Sequence, residues 1–391
     1  MQRGIATFTL DTGTCPRWLF AKMVKLGREM TRALIAEFGP DEFVRRIADP
    51  VWFQSLGTVL AFDWNSSGLT TILTAALKES IRGREKELGI FICGGKGKTS
   101  RKTPEEITRW ADKLSLPDQH ADNLVYNSRM SAKVDSSLIQ DGYQIYHHSF
   151  FFSRNGTWAV VQQGMNQINV SARRYHWFSE NIDDIVCEPH TGIVTAAKRQ
   201  PSLNLTARSS EHTRGLSTQF VSSGYRSLMK DIEIIRKHSS HLSKMVTLKH
   251  KDRQLTLLKL EDTEFKAHPV VCEDFSRSRY LEKIVHKLCN RQPQNYEQLL
   301  ATRGVGPKTI RALALVAEVI YGASPSYEDP ARYSFAHGGN DGTPYGVDNK
   351  TYDRTIAIMA EAVGRSRIEG YEKDKAIRRL TAPVFLRRFK I

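Results

Sequence analysis

Tyr143–Gln163 reads YQIYHHSFFFSRNGTWAVVQQ. Two runs rich in aromatic and β-branched residues flank Arg154-Asn155-Gly156, and Asn-Gly is the strongest short signal for a hairpin turn. The pattern predicts strands over 143–153 and 157–163. With Asn155 and Gly156 as a two-residue loop, Arg154 pairs with Thr157, which sets His148 opposite Gln163 and Ser149 opposite Gln162. The apolar half of the ribbon lies next to the turn; the far half carries His147, His148, Gln162 and Gln163. Neighbouring strand residues point to opposite faces, so only one histidine shares a face with Gln163, and the expected register makes it His148.

Upstream, Pro16 opens a helical stretch whose Leu19, Met23, Leu26, Met30 and Leu34 form one stripe up to Gly39. A second helix starts at Ser66 or Ser67, the expected N-cap, and carries Leu69, Leu73, Ala76 and Leu77 toward Gly89. A short strand over 89–93 follows, then Gly94-Gly95-Lys96-Gly97-Lys98 and a capping box, Thr103-Pro104-Glu105-Glu106. A helix over 119–140 leads into the hairpin. Residues 198–214, rich in Ser, Thr, Asn and Arg without apolar periodicity, read as a linker. Helical patterns dominate beyond Ser222. The expected fold class is an α/β (α+β) N-terminal domain with a β-hairpin-containing sheet (1–205), a linker (206–221) and an all-α C-terminal helix-hairpin-helix domain (222–391).

The 391-residue chain is 40% hydrophobic, enough for sizeable cores, so wholesale disorder is excluded. Lys and Arg number 57 against 42 Asp and Glu, a net +15 that favours a polyanionic partner, nucleic acid first. Apolar runs such as Ile90–Cys93 fall far short of the roughly 18 residues a membrane span needs. The start, Met-Gln-Arg-Gly-Ile, lacks an apolar leader, so a cytoplasmic location and no membrane partner are expected. Cys15, Cys93, Cys187, Cys272 and Cys289 are scattered, with no Cys-x-x-Cys pair. That spacing predicts neither a disulfide framework nor an iron-sulfur cluster. The Gly-rich loop is not a phosphate-binding Walker loop, because Gly97 follows Lys96, and no nucleotide cofactor is expected.

The most specific local signal is Tyr296–Tyr321, YEQLLATRGVGPKTIRALALVAEVIY. A short helix meets Gly304-Val305-Gly306, and a second turns Ile310, Leu313, Ala314 and Ala317 inward. The stretch, over 295–322, resembles a helix-hairpin-helix. Its glycines let backbone approach a phosphate, Val305 plugs the interhelical core, amides at the second helix's start meet the anion, and Lys308 adds charge. Such contacts ignore base identity, which predicts sequence-independent binding to single-stranded or duplex DNA. Gly346-Val347-Asp348-Asn349-Lys350 then precedes another helix carrying Tyr352, Ile356, Met359, Ala360 and Val363. In the DNA glycosylases that this hairpin resembles, a Val-Asp pair begins a later helix. That resemblance implies Asp348 as catalytic carboxylate and Lys308 as Schiff-base lysine of an abasic-site lyase, although the interval from Lys308 to Asp348 is roughly twice that of the family.

The first half supplies the residue types for metal-dependent phosphodiester cleavage, with Asp63, Lys133, Asp141, His148 and Gln163 as candidate catalytic groups. Asp63, Asp141, His147 and His148 are the candidate ligands for Mg²⁺ or Mn²⁺. None lies at a diagnostic metal spacing. Lys96, Lys98, Arg101, Lys102, Arg173 and Arg174 are candidate DNA contacts beside Gly304, Gly306 and Lys308, and Tyr175-His176-Trp177 are candidate stacking partners for unpaired bases. The segments RGIATFTLDTGTCPRWLFAKMVKLGRE, FDWNSSGLTTILTAALKE, GGKGKTSRKTPEE, QDGYQIYHHSFFF and WAVVQQGMN resemble domain-of-unknown-function family 763 of archaea and bacteria. The resemblance covers nearly the whole chain and implies nuclease-type DNA processing. The expected function is a divalent-metal-dependent DNA nuclease in repair or recombination. A glycosylase or lyase centred on Lys308 and Asp348, and a noncatalytic DNA-binding protein, are the alternatives.

Overall fold

The computed structural model describes residues 15–60, 66–168, 170–195, 201–238, 245–250, 253–258, 278–331 and 349–381. Asp63, Asp348 and the C-terminal basic run lie outside them. The strands are β1 (Ile90–Lys96), β2 (Ile139–Gln140), β3 (Gln144–Ser153), β4 (Trp158–Asn166), β5 (Ser171–Phe178), β6 (His190–Thr195), β7 (Leu203–Asn204), β8 (Met245–His250) and β9 (Arg253–Leu258). The helices of the first half are α1 (Arg17–Ala48), α2 (Pro50–Val59), α3 (Ser66–Ser80), α4 (Glu85–Leu88), α5 (Thr103–Leu114) and α6 (Asp118–Ser137). Those of the second half are α7 (Glu211–Ser222), α8 (Tyr225–His238), α9 (Arg279–Arg291), α10 (Tyr296–Ala301), α11 (Pro307–Leu315), α12 (Asn349–Arg365) and α13 (Gly370–Thr381). The chain is thus mixed helix and sheet, and its largest sheet is antiparallel, in the order β1-β3-β4-β5-β6.

Strand alternation divides the core into two layers. Phe91, Cys93, Phe150, Phe152, Val160 and Trp177 point to one side, into a buried cluster that continues through α6 to α7, α9, α10 and α11. Ile92, Phe151, Ala159, Val161 and Phe178 point to the other, against α1, α2 and α3. Met359, Ala362, Val363 and Ala376 of α12 and α13 belong to that second cluster, so each layer draws on both halves of the chain. The apolar stripe read from 16 to 38 is buried at Met23, Leu26, Met30 and Leu34, and the helix breaks at Gly39 (φ +83) before Pro40 restarts it.

Three sequence expectations are corrected. The β3–β4 hairpin forms, but one residue out of the expected register. Ser153 N–H donates to Thr157 O at 2.9 Å, which leaves Arg154, Asn155 and Gly156 as a three-residue loop with Gly156 at φ +97. His148 therefore faces Gln162, and Gln163 faces His147. Arg154 is drawn out of the ladder because its N–H donates to Gly89 O at 2.8 Å and its guanidinium to the carbonyls of Lys86 and Glu87. The capping box does not close: Thr103 donates to Ser100 O, and Glu106 instead accepts from Gly94 N–H and Lys78. The stretch read as a linker contains α7, an ordered helix burying Thr213, Arg214, Ser217, Phe220 and Val221. Its polar residues are used internally: Arg214 donates to Leu205 O and Ala207 O, and Thr213 to Ala323 O.

Candidate functional site

The far end of the sheet from the β3–β4 turn is polar on both faces. On the α3 side, Lys96, His147, Gln163 and Arg174 stand next to one another across β1, β3, β4 and β5. Helix α3 meets them with buried Ser67, Thr70 and Thr74. His147 Nε2 lies 3.1 Å from Thr74 Oγ1 and 3.1 Å from Ser149 Oγ. Gln163 donates to Ser67 O at 2.9 Å. Arg174 donates to Thr70 Oγ1 and Gln54 Oε1, each at 3.2 Å, with its guanidinium 4.8 Å from the Phe53 ring centre. Burial, then the neighbouring His148 and Lys96, pulls His147 down to about 3, so its imidazole is neutral. Nδ1 of His147 and Oε1 of Gln163 are buried with no hydrogen-bond partner among the described residues.

On the opposite face a chain of hydrogen bonds fixes the tautomer of His148. Gln162 Nε2 faces two acceptors, Ser131 O at 3.0 Å and the Asp135 carboxylate, so Oε1 is the atom 2.8 Å from His148 Nδ1. Nδ1 must then be the donor, and Nε2 accepts from Ser128 Oγ at 2.9 Å. Burial lowers the affinity of His148 for a second proton, in keeping with that neutral tautomer. Asp135, wholly buried, also accepts from Trp177 Nε1 at 3.0 Å and lies 2.5 Å from His190 Nε2. The His190 ring packs edge-on to Trp177, and the residue lines a cavity of about 710 Å³ together with Asn204, Arg208, Ser326 and Glu328.

A third buried group consumes two candidates. Arg173 donates to Asp141 Oδ2 at 2.6 Å and Asp329 Oδ2 at 2.7 Å, and Tyr175 donates to Asp141 at 3.1 Å. Burial raises the Asp141 carboxyl, and Arg173 opposes it. Burial also works against the Arg173 charge, but the two carboxylates outweigh it and hold the guanidinium above its ordinary value.

The bend between α10 and α11 lies at the surface. Asn295 caps α10 by accepting from Gln298 N–H at 2.9 Å, Val305 is buried, and Arg303 and Lys308 are exposed. Gly304 takes φ +101, where a Cβ would stand 2.4 Å from Ile284 Cδ1. Three side chains bind the carbonyls of the bend: Lys133 to Thr302 O at 2.8 Å, Lys287 to Arg303 O at 2.9 Å, and Gln140 to Pro307 O at 2.9 Å. No side chain caps α11, the condition under which first-turn amides donate to an external anion. Burial, then Lys287 and Arg291, pushes Lys133 down to about 8.

The structure therefore brings together Lys96, His147, Gln163 and Arg174, and separately Lys133 with the Gly304–Lys308 bend. It does not unite the expected nuclease set. Lys133 points to the bend, Asp141 is held by Arg173, and His147 and His148 occupy opposite faces, so these ligands do not converge on a cation. Among the described residues no group of three or more His, Cys, Asp or Glu is arranged to hold a metal. Arg173, Arg174, Tyr175, His176 and Trp177 are buried rather than presented to DNA, because five-strand pairing and helices on both faces enclose β5. Lys96, Lys98, Arg101 and Lys102 are exposed where β1 runs into a 3₁₀ turn. Asp135 and His190 escaped the sequence reading as site residues. For Asp135 a signal existed: Ser128, Ser131 and Asp135 recur at helical spacing on the stripe of α6 that turns inward.

A family model described as "Protein of unknown function (DUF763)" matches residues 4–347. The chain belongs to that family. No curated protein and no solved structure matches it. The family's matched span takes in the sheet, both polar faces and the α10–α11 bend. None of the described helices is long and apolar enough to cross a membrane.

Proposed function

We propose that this protein binds DNA through its sugar-phosphate backbone at the bend between α10 and α11, the part that resembles a helix-hairpin-helix. The observation that carries this reading is the polarity of the bend. The Thr302, Arg303 and Pro307 carbonyls are engaged by Lys133, Lys287 and Gln140, while α11 starts without a side-chain cap beside exposed Lys308. Three acceptors flanking the glycines are thus taken up within the protein while the uncapped helix start and the Lys308 charge lie at the surface, which suits a phosphate and is indifferent to the base. The test is titration of unrelated DNA sequences over a salt series with Gly306→Val and Lys308→Ala combined. Affinity should fall alike for all sequences, with a shallower salt slope. Loss confined to one sequence, or none at all, would reject backbone binding at this bend.

A second reading, phosphodiester hydrolysis, is favoured by the row under α3. Lys96 is an exposed cation suited to phosphate oxygens, and next to it in the row stand buried His147, with an unused Nδ1, and buried Gln163, with an unused acceptor. The bend itself is tied to the separate β2–β7 ribbon, since Gln140 of β2 reaches Pro307 O and pairs with Leu203 of β7. Labelled DNA incubated with Mg²⁺ or Mn²⁺ should be cleaved, and His147→Ala should abolish cleavage while binding persists. Cleavage that vanishes with EDTA marks a divalent-metal requirement. Borohydride trapping on abasic DNA, lost in Lys308→Ala and insensitive to EDTA, would point instead to the lyase.

A further inference from the structure

The face of α9 beside the bend carries an aromatic ring and a line of cations. Tyr280 is 60% exposed, although a tyrosine on a helix ordinarily covers its ring. Its hydroxyl lies 3.0 Å from where a Cβ on Gly304 would stand, so the ring borders the bend itself. Lys283, Lys287 and Arg291 follow Tyr280 at intervals of three, four and four residues, all exposed, and share its side of the helix. Ile284, between them, packs against Gly304, and Lys287 reaches Arg303 O. The line therefore runs along the bend, over roughly 16 Å from Tyr280 to Arg291 at the helical rise. The acidic residue on the same stretch, Glu282, is engaged by Arg236 at 3.1 Å.

A ring next to a phosphate-binding turn and continued by cations is the arrangement that holds single strands, because every base has a face to stack and every nucleotide a charge to neutralise. In duplex DNA the bases are already stacked and offer the ring nothing. We infer that the Tyr280–Lys283–Lys287–Arg291 face is a track for single-stranded DNA, with the Tyr280 ring stacking an unpaired base next to the nucleotide whose phosphate meets the bend. The inference rests on the backbone-binding reading and narrows its substrate to DNA with unpaired nucleotides.

The test compares oligo(dT) of about 15 nucleotides with a duplex of equal length, using the full chain. Tyr280→Ala should weaken oligo(dT) binding about tenfold and leave both duplex affinity and the salt slope unchanged. Tyr280→Phe should retain single-strand affinity, and Tyr280→Trp should show emission quenched on adding oligo(dT). Equal loss on both DNAs, or wild-type affinity in Tyr280→Ala, overturns the track. The two readings fail separately: if the Gly306→Val, Lys308→Ala variant binds every DNA like wild type, the bend is not the backbone site. If it weakens both DNAs while Tyr280→Ala weakens neither, only the stacking role falls. Circular dichroism of Tyr280→Ala should match wild type, since the ring is exposed.

Discussion

Gly304→Ala and Gly306→Ala place one methyl group at each end of the same bend and should behave oppositely. At Gly304 the backbone sits at φ +101, where an L side chain costs roughly 1–2 kcal/mol. The new Cβ would also lie 2.4 Å from Ile284 Cδ1, and Ile284 is only 5% exposed, so it must move within a packed layer. That overpacking adds about 1–2 kcal/mol. Alanine narrows the unfolded ensemble and returns about 0.4–1 kcal/mol, leaving a net loss of about 2 kcal/mol. Gly306 has φ −153, ordinary extended backbone, and a Cβ there meets nothing within 4 Å; its variant should stay within about 0.5 kcal/mol of wild type. Urea unfolding followed by tryptophan fluorescence reads both, with slopes checked for equality so that midpoints report stability alone. Equal midpoints for the two variants would refute the claim that Gly304 is held in a left-handed conformation against α9. A large loss in Gly306→Ala would show that its surroundings are not open, and would remove the room for a phosphate.

Arg173→Met leaves Asp141 and Asp329 facing each other in the interior and should cost about 3–5 kcal/mol, with the salt dependence of DNA affinity unchanged. Unaltered stability with weakened DNA binding would instead return Arg173 to the surface role its sequence context suggests. His147 has a depressed folded value, so the unfolded chain binds the proton more readily, and its contribution is intact above the unfolded value of 6.5. As pH falls below that value toward about 3, stability should drop by up to about 1.4 kcal/mol per pH unit for this group. Unfolding measured from pH 8 to about pH 4 should show a shallower acid loss in His147→Gln; parallel curves would mean that the imidazole is solvated.

The elements that sequence makes legible are those governed by local rules. The stripe from Met23 to Leu34, the inward set Ile310, Leu313, Ala314 and Ala317, and Val305 in the bend are all buried as their spacing requires. The hairpin was legible as a hairpin, yet its register turned on Arg154, whose N–H is claimed by Gly89, a residue more than sixty positions away. No reading of the turn alone contains that partner. The same limit applies to α7, whose polar composition looks solvated until Leu205 O, Ala207 O and Ala323 O are seen to receive its side chains.

The one-residue register shift also decides the chemistry. In the expected pairing His148 shares Gln163, and a single histidine with a nearby amide makes a self-contained site. In the observed pairing each histidine takes a different glutamine, and the sheet separates two polar networks with different properties. His148 spends both ring nitrogens on Ser128 and Gln162 and is tied through Gln162 to Asp135 and His190. Such a closed chain holds α6 to the sheet and orients His190 at the cavity, a positioning role. His147 keeps Nδ1 unused, and its cross-strand partner Gln163 keeps Oε1 unused. A histidine committed at both nitrogens cannot take a proton from a reactant without breaking a buried hydrogen bond, whereas one with an idle nitrogen can. On that ground the spare ring nitrogen belongs to His147 on the α3 face, which is itself fully buried, and not to His148, the histidine that the expected register singles out.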